Sequence, residues 1–228
     1  MLQRTVRWQG VDDPHRFDQA VVKLDRDRLS ATGTSETPDY RLQWSLRTGA
    51  EFLTRSLDVQ ITAPTWSRRL ALVRDAAGRW ASEGRADGVP VTASGELLTI
   101  DDSDWDAENG ASPGILDPPS LIGADDCDLG LCPLTNTMPM LRSILPGPGL
   151  SRSAPGQELG FVMAWVEVPS LRVIRSEQIY QLRRTDVDGT SVVRYIGLHR
   201  SFSGDLSVDR DGLVIDYPQL ARRVDPPR

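Results

Sequence analysis

The sequence predicts a mainly β, antiparallel protein with one short helix. Three observations predict it. Apolar and polar residues alternate with period two through the first half, tight-turn signals separate the later apolar runs, and one segment carries helical apolar spacing. Strands are expected first at Arg4–Gln9, Arg16–Leu24 and Arg28–Thr34. Tyr40, Leu42, Trp44 and Leu46 then alternate with Arg41, Gln43, Ser45 and Arg47, as in a half-buried strand. Leu53, Arg55, Leu57, Val59 and Ile61 repeat the pattern after the turn residues Arg47 to Glu51, so these two strands form a hairpin. Arg68–Arg74 and Gly78–Ser82 continue the series.

After the midpoint the composition changes. Asp101 to Asp126 contains no Lys or Arg, many acids, and Gly110, Pro113, Gly114, Pro118, Pro119 and Gly123. Such a stretch has too little apolar surface to order itself and reads as a solvated acidic loop, with an acidic partner-binding segment as the alternative. Phe161–Val168 is apolar on both faces. That is the pattern of a central strand covered on both sides, or of a strand with one face lining a dry groove. Leu171–Ile174, Gln178–Arg184, Val192–His199, Asp205–Val208 and Leu213–Tyr217 follow, with turns at Asp186–Gly189 and Asp209–Gly212. Phe52–Val59 echoes Phe202–Asp209, each after a strand that starts with Tyr, so an internal duplication is one explanation. No hydrophilic linker separates two cores, and the expectation is one domain over residues 1–228.

Bulk properties exclude several classes. A chain of 228 residues buries roughly 70% of its unfolded surface and needs no disulfide staples. The net charge of −6 argues against a nucleic-acid partner, which requires a basic face. Lys23 is the only lysine among 26 Lys+Arg, a bias that reads as a GC-rich bacterial genome. Met1 to Gly10 lacks an apolar signal core, and no apolar run approaches the ~20 residues of a membrane span, so a cytoplasmic location is expected. There the two cysteines, Cys127 and Cys132, are free thiols. His15 and His199 lack metal-ligand spacing, no metal is expected, and no cofactor motif is present.

Two stretches carry most of the information. Cys127 to Leu145, CDLGLCPLTNTMPMLRSIL, packs an acid, a hydroxyl-amide-hydroxyl triplet, two prolines and an arginine together. Val208 to Val224, VDRDGLVIDYPQLARRV, lies near the C-terminus. In this order they resemble the signatures of the putative glycolipid-binding family of bacterial proteins. The resemblance spans most of Tyr40 to Val224 apart from the acidic insertion, about residues 101–126. It implies a single curved antiparallel sheet, a spiral β-roll or open barrel similar to bacterial lipoprotein carriers. It also implies a lipid or glycolipid ligand. Those carriers are exported, whereas this chain shows no export signal.

The candidate ligand-binding residues are Asp128, Thr135, Asn136, Thr137, Arg142, Trp165 and Tyr217. Met138, Leu141, Ile144 and Leu145 fall on one helical face, so Thr135 to Thr137 either cap that helix or offer donors and acceptors to sugar hydroxyls. Asp128 and Arg142 pair with each other, or Arg142 meets a lipid phosphate or carboxylate. Tyr217, held extended by Pro218, is either a packing residue or part of a site. The indoles of Trp8, Trp44, Trp66, Trp80, Trp105 and Trp165 are core residues or sugar-stacking faces.

Three functions compete at this point. The first is non-catalytic binding of a lipid or glycolipid in an apolar groove. The second is a hydrolase using carboxylates such as Asp126 and Asp128, although no nucleophile elbow or phosphate loop is present. The third is a protein-interaction scaffold using the acidic loop.

Overall fold

The computed structural model describes residues 1–98, 112–145 and 153–224. Its first half is an antiparallel meander of seven strands. These are β1 (Leu2–Gly10), β2 (Phe17–Leu24), β3 (Leu29–Glu36), β4 (Arg41–Thr48), β5 (Thr54–Thr62), β6 (Ser67–Arg74) and β7 (Trp80–Asp87). The second half contains β8 (Gly114–Ile115), β9 (Ala124–Leu129), a short helical passage, β10 (Glu158–Val166) and β11 (Arg172–Thr185). It ends with β12 (Ser191–Gly197), β13 (Phe202–Val208), β14 (Val214–Tyr217) and β15 (Ala221–Arg223).

All fifteen strands belong to one sheet, and β15 pairs with β1 to join the two halves. Trp8 fixes that junction: its indole is buried in the core and donates to the Val214 carbonyl at 2.9 Å. The expected curved antiparallel sheet is present, with two parallel exceptions where β9 meets β10 and β8 meets β11. The sheet does not close. Its two end regions are linked by side chains: Trp80 donates to the Ala124 carbonyl at 2.9 Å, and the Cys127 amide donates to Thr54 Oγ1 at 3.1 Å.

The period-two reading of the first half holds at the level of side chains. Leu42, Trp44 and Leu46 on β4 face inward with Leu57, Val59 and Ile61 on β5. Gly33 sits opposite Trp44, and a Cβ there would lie 2.4 Å from the indole ring, so only glycine admits it. Trp8, Trp44, Trp66 and Trp80 are core residues, each worth several contacts of dispersion and burial. Trp105 lies outside the described residues. The two echoing hairpins, β4–β5 and β12–β13, each enter their second strand through a 3-10 turn with a left-handed residue at or just after its end. Phe52 closes the first turn while Phe202 opens a strand, so the two are not equivalent positions.

The helical passage fills the hollow of the sheet. It runs as a 3-10 turn (Pro133–Asn136), helix α1 (Thr137–Pro139) and a π turn (Met140–Ile144), closed by Leu145 N–H on the Met140 carbonyl at 2.8 Å. The wider π turn rotates the apolar pattern, so Met140 is buried together with Met138, Ile144 and Leu145. Leu141 touches both apolar clusters, one built from β1–β7 with β9 and β10, the other from β11–β14. Thr137 is not an N-cap, because the passage already begins at Pro133; its hydroxyl donates to the Gly212 carbonyl at 3.0 Å.

Part of the acidic stretch is ordered, against expectation. Leu121 and Ala124 are buried, and Asp126 is wholly buried on β9. Charge counting missed this because the balancing cation, Arg142, lies sixteen residues downstream. Met163, Ala164 and Val166 on β10 are likewise fully covered by protein, so that doubly apolar strand is a central one, pairing with β9 and β11.

Candidate functional site

The end of β9 sets the floor of a cleft. Asp128 is paired with Trp165 on β10 and therefore shares its face of the sheet. Period two places Ser176, Gln178 and Tyr180 of β11 on that face as well, with Tyr195 opposite Tyr180 on β12. Beyond Asp128 the chain turns at Leu131, whose φ of 64° is left-handed, and returns through Cys132 into the helical passage. The turns after β12 and β14 close the other sides. The result is a cleft of about 270 Å3 whose lining includes Asp128, Asn136, Trp165, Tyr195, His199, Arg200, Phe202 and Tyr217.

Glycines keep it open. Gly197 faces Tyr195, and a Cβ there would lie 2.9 Å from the phenol oxygen. Gly204 leaves room for Phe202, whose ring edge would lie 3.1 Å from an added Cβ. Tyr195, Phe202 and Tyr217 contact one another with ring centroids 5.7 to 6.0 Å apart, forming an aromatic wall. Trp165 packs against the His199 ring at 4.7 Å and lies under the Arg200 guanidinium at 5.6 Å.

A polar network supports the floor. Asp128 Oδ1 accepts from Thr135 Oγ1 at 2.7 Å, and Oδ2 accepts from Gln178 Nε2 at 2.6 Å. The Tyr180 hydroxyl lies 2.9 Å from both Asn136 Oδ1 and Gln178 Oε1. Ser176 Oγ is 2.7 Å from His199 Nδ1. Burial raises the Asp128 carboxyl above the usual carboxylate range, with the Thr135 and Gln178 bonds opposing it. Burial, helped by the charge of Arg200, pulls His199 down to about 4, so its imidazole is neutral at pH 7. Burial also drives the Tyr180, Tyr195 and Tyr217 phenols up, so all three stay protonated.

Four of the seven residues singled out from the sequence meet at this cleft: Asp128, Asn136, Trp165 and Tyr217. Thr135 and Thr137 are fully buried and committed to protein partners. The Asp128–Arg142 pairing does not form. Arg142 instead makes a two-bond ion pair with Asp126, and its guanidinium lies 5.6 Å from the Phe161 ring. Among the described residues, no group of three or more His, Cys, Asp or Glu is arranged to hold a metal ion.

A family model described as "putative glycolipid-binding" matches residues 5–223, nearly the whole chain. The chain belongs to this family. A crystal structure of a DUF1089-family protein from Pseudomonas aeruginosa is similar over 91% of this chain and 92% of its own. The sequence identity is 27% and the TM-score 0.59. No protein of curated function matches the chain.

In this member of the glycolipid-binding family, sequence reasoning missed Gln178, Tyr195, His199, Arg200 and Phe202. The run Val192–His199 reads as strand, but β12 ends at Gly197 and a 3-10 turn, Leu198–Arg200, carries His199 and Arg200 to the cleft. Gly197 was the available signal, since a glycine inside an apolar run marks a bend or a close approach. Gln178 and Tyr195 were visible only as strand residues, because nothing local reports which face meets a distant acid.

Proposed function

We propose that this protein binds a glycolipid by its sugar headgroup, without catalysis, in the cleft between β9–β10 and the turns after β12 and β14. The observation that carries the reading is an aromatic wall standing over a polar floor in a chain of the glycolipid-binding family. Phe202 and Tyr217 offer aromatic surface to the apolar side of a sugar, while the Asn136 amide nitrogen, which has no partner among the described residues, offers a donor to its hydroxyls.

Size decides what stays outside. At about 270 Å3 the cleft sits below the usual range for drug-sized ligands, roughly 300–1,000 Å3. It suits one or two sugar rings and excludes long acyl chains. Each methylene left out forgoes ~0.8 kcal/mol, so recognition rests on the headgroup rather than on sheathing the chains. Val11 and Leu198, exposed apolar neighbours of the cleft residues Asp12 and His199, offer the first acyl carbons a place to rest. In the cytoplasm such a protein would hold a glycolipid precursor. The acid–base alternative draws no support, because the oxygens of Asp126 and Asp128 are engaged by Arg142, Thr135 and Gln178.

The test is co-sedimentation with phosphatidylcholine vesicles containing glucosyl-diacylglycerol, compared with plain vesicles. Binding is expected only with the glycolipid. Phe202→Leu keeps the apolar bulk but removes the flat ring, and should weaken binding about two- to tenfold. Equal binding to both vesicle types, or an unaffected Phe202→Leu variant, removes the proposal.

A further inference from the structure

His199 and Arg200 stand apart from the two carboxylates of the cleft because part of their hydrogen-bonding capacity is not spent. Asp12 is paired with Arg16 at 3.0 Å, and both oxygens of Asp128 already accept bonds. Arg200, in contrast, has no ion-pair or hydrogen-bond partner among the described residues; it rests on Trp165. That contact sets the guanidinium near the indole and leaves its N–H groups without a protein partner among the described residues, the fork with which arginine recognises carboxylate or phosphate.

The neighbouring imidazole is oriented by a chain of donors. Gln178 Nε2 donates to Asp128 and lies 3.5 Å from Ser176 Oγ, which leaves the Ser176 proton free to donate to His199 Nδ1. In that tautomer the ring proton sits on Nε2. The turn then presents an N–H donor beside the Arg200 cation at the lip of the cleft.

Building on the headgroup reading above, we infer that His199 and Arg200 form an oxyanion subsite, so that the preferred glycolipid carries a carboxylate or phosphate next to its sugar. General electrostatic attraction does not account for such a preference, since the chain carries a net charge of −6 and would be repelled by acidic vesicles.

The experiment uses the full chain and three sets of phosphatidylcholine vesicles. One contains glucuronosyl-diacylglycerol, one the neutral glucosyl-diacylglycerol, and one phosphatidylglycerol matched in charge to the first. The wild type should bind the glucuronosyl lipid about tenfold more tightly than the glucosyl lipid, as expected for charge-assisted bonds. It should ignore phosphatidylglycerol. Excess inorganic phosphate should narrow the gap. Arg200→Gln should bring the two glycolipids to equal affinity. Equal wild-type affinity for the two glycolipids, or a gap that survives Arg200→Gln, overturns the subsite and leaves the headgroup cleft standing. If neither glycolipid binds above plain vesicles, the cleft reading falls and the subsite with it.

Discussion

Arg142 grips Asp126 through two bonds, Nη1 to Oδ1 at 3.1 Å and Nη2 to Oδ2 at 2.6 Å, with the carboxylate wholly out of solvent. The pair ties the π turn after α1 to β9 and so anchors the passage that fills the sheet. Burial raises the Asp126 carboxyl above its ordinary value, and the guanidinium opposes that rise. Arg142→Met would leave a buried charge without its partner, a loss of about 3–5 kcal/mol. Replacing both residues, Asp126→Leu with Arg142→Met, should recover most of that, since the hole and the charge disappear together. Urea unfolding of the three proteins measures it. An unchanged midpoint for Arg142→Met together with lost glycolipid binding would return Arg142 to the list of ligand residues.

Asp128 gives the opposite expectation for a single substitution. Its partners are neutral, and burial holds its carboxyl above the usual range. A raised folded pKa means that the folded state takes up the proton more readily. Its contribution is therefore complete below the unfolded value near 4 and is lost as pH rises through the folded value. Asp128→Asn removes this slope. The amide oxygen can still accept from Gln178, the amide nitrogen can donate to Thr135 Oγ1, and the Thr135 hydroxyl can turn to the Cys132 carbonyl 3.0 Å away. The variant should be at least as stable as wild type at pH 7 and show a flatter stability profile above pH 4. A large loss of stability at neutral pH would mean that the charge itself is needed.

His199 reports on the turn that carries it. Its pKa is depressed to about 4, first by desolvation and then by Arg200. A depressed value contributes stability that is present above the unfolded pKa near 6.5 and is lost as pH falls through about 4. The ring is partly exposed, so the effect on unfolding is small and NMR is the better probe. The His199 ring carbons should titrate at about 4 in wild type and higher in Arg200→Gln. A midpoint near 6.5 in wild type would show the imidazole free of both Trp165 and Arg200.

How much of this was legible in the sequence depends on where the determining partner lies. Leu42, Trp44 and Leu46 declare their face by alternation alone, and the hairpin to β5 follows from local pattern. Asp126 could not be read that way: its acidic neighbours argue for solvent, and only contact with Arg142 makes burial tolerable. The parallel pairing of β9 with β10 crosses more than thirty residues and leaves no local trace. The signature run did contain cleft residues, Asp128 and Asn136, yet it also contained Thr135 and Thr137, whose hydroxyls serve the backbone and the network. Spacing within a motif does not separate a side chain that meets ligand from one that props up its neighbour. His199 and Arg200 were hidden because a 3-10 turn after a glycine resembles the last turn of a strand.

The two thiols offer a check on the same region that needs no ligand. Cys127 and Cys132 are free, Cys127 buried on β9 and Cys132 half-buried at the cleft. Burial pushes the Cys132 thiol up to about 12 and the Cys127 thiol higher still. Only the thiolate attacks a disulfide reagent, and an ordinary cysteine titrates near 8.5. At pH 8 the native protein should therefore react with Ellman's reagent at least about a hundredfold more slowly than free cysteine. In urea both thiols should react at the free rate, counting two per chain. Rapid labelling of one thiol in the native state would locate an ionised Cys132 in an open, polar setting. That would be incompatible with the packing of Leu131 and Cys132 against the larger apolar core.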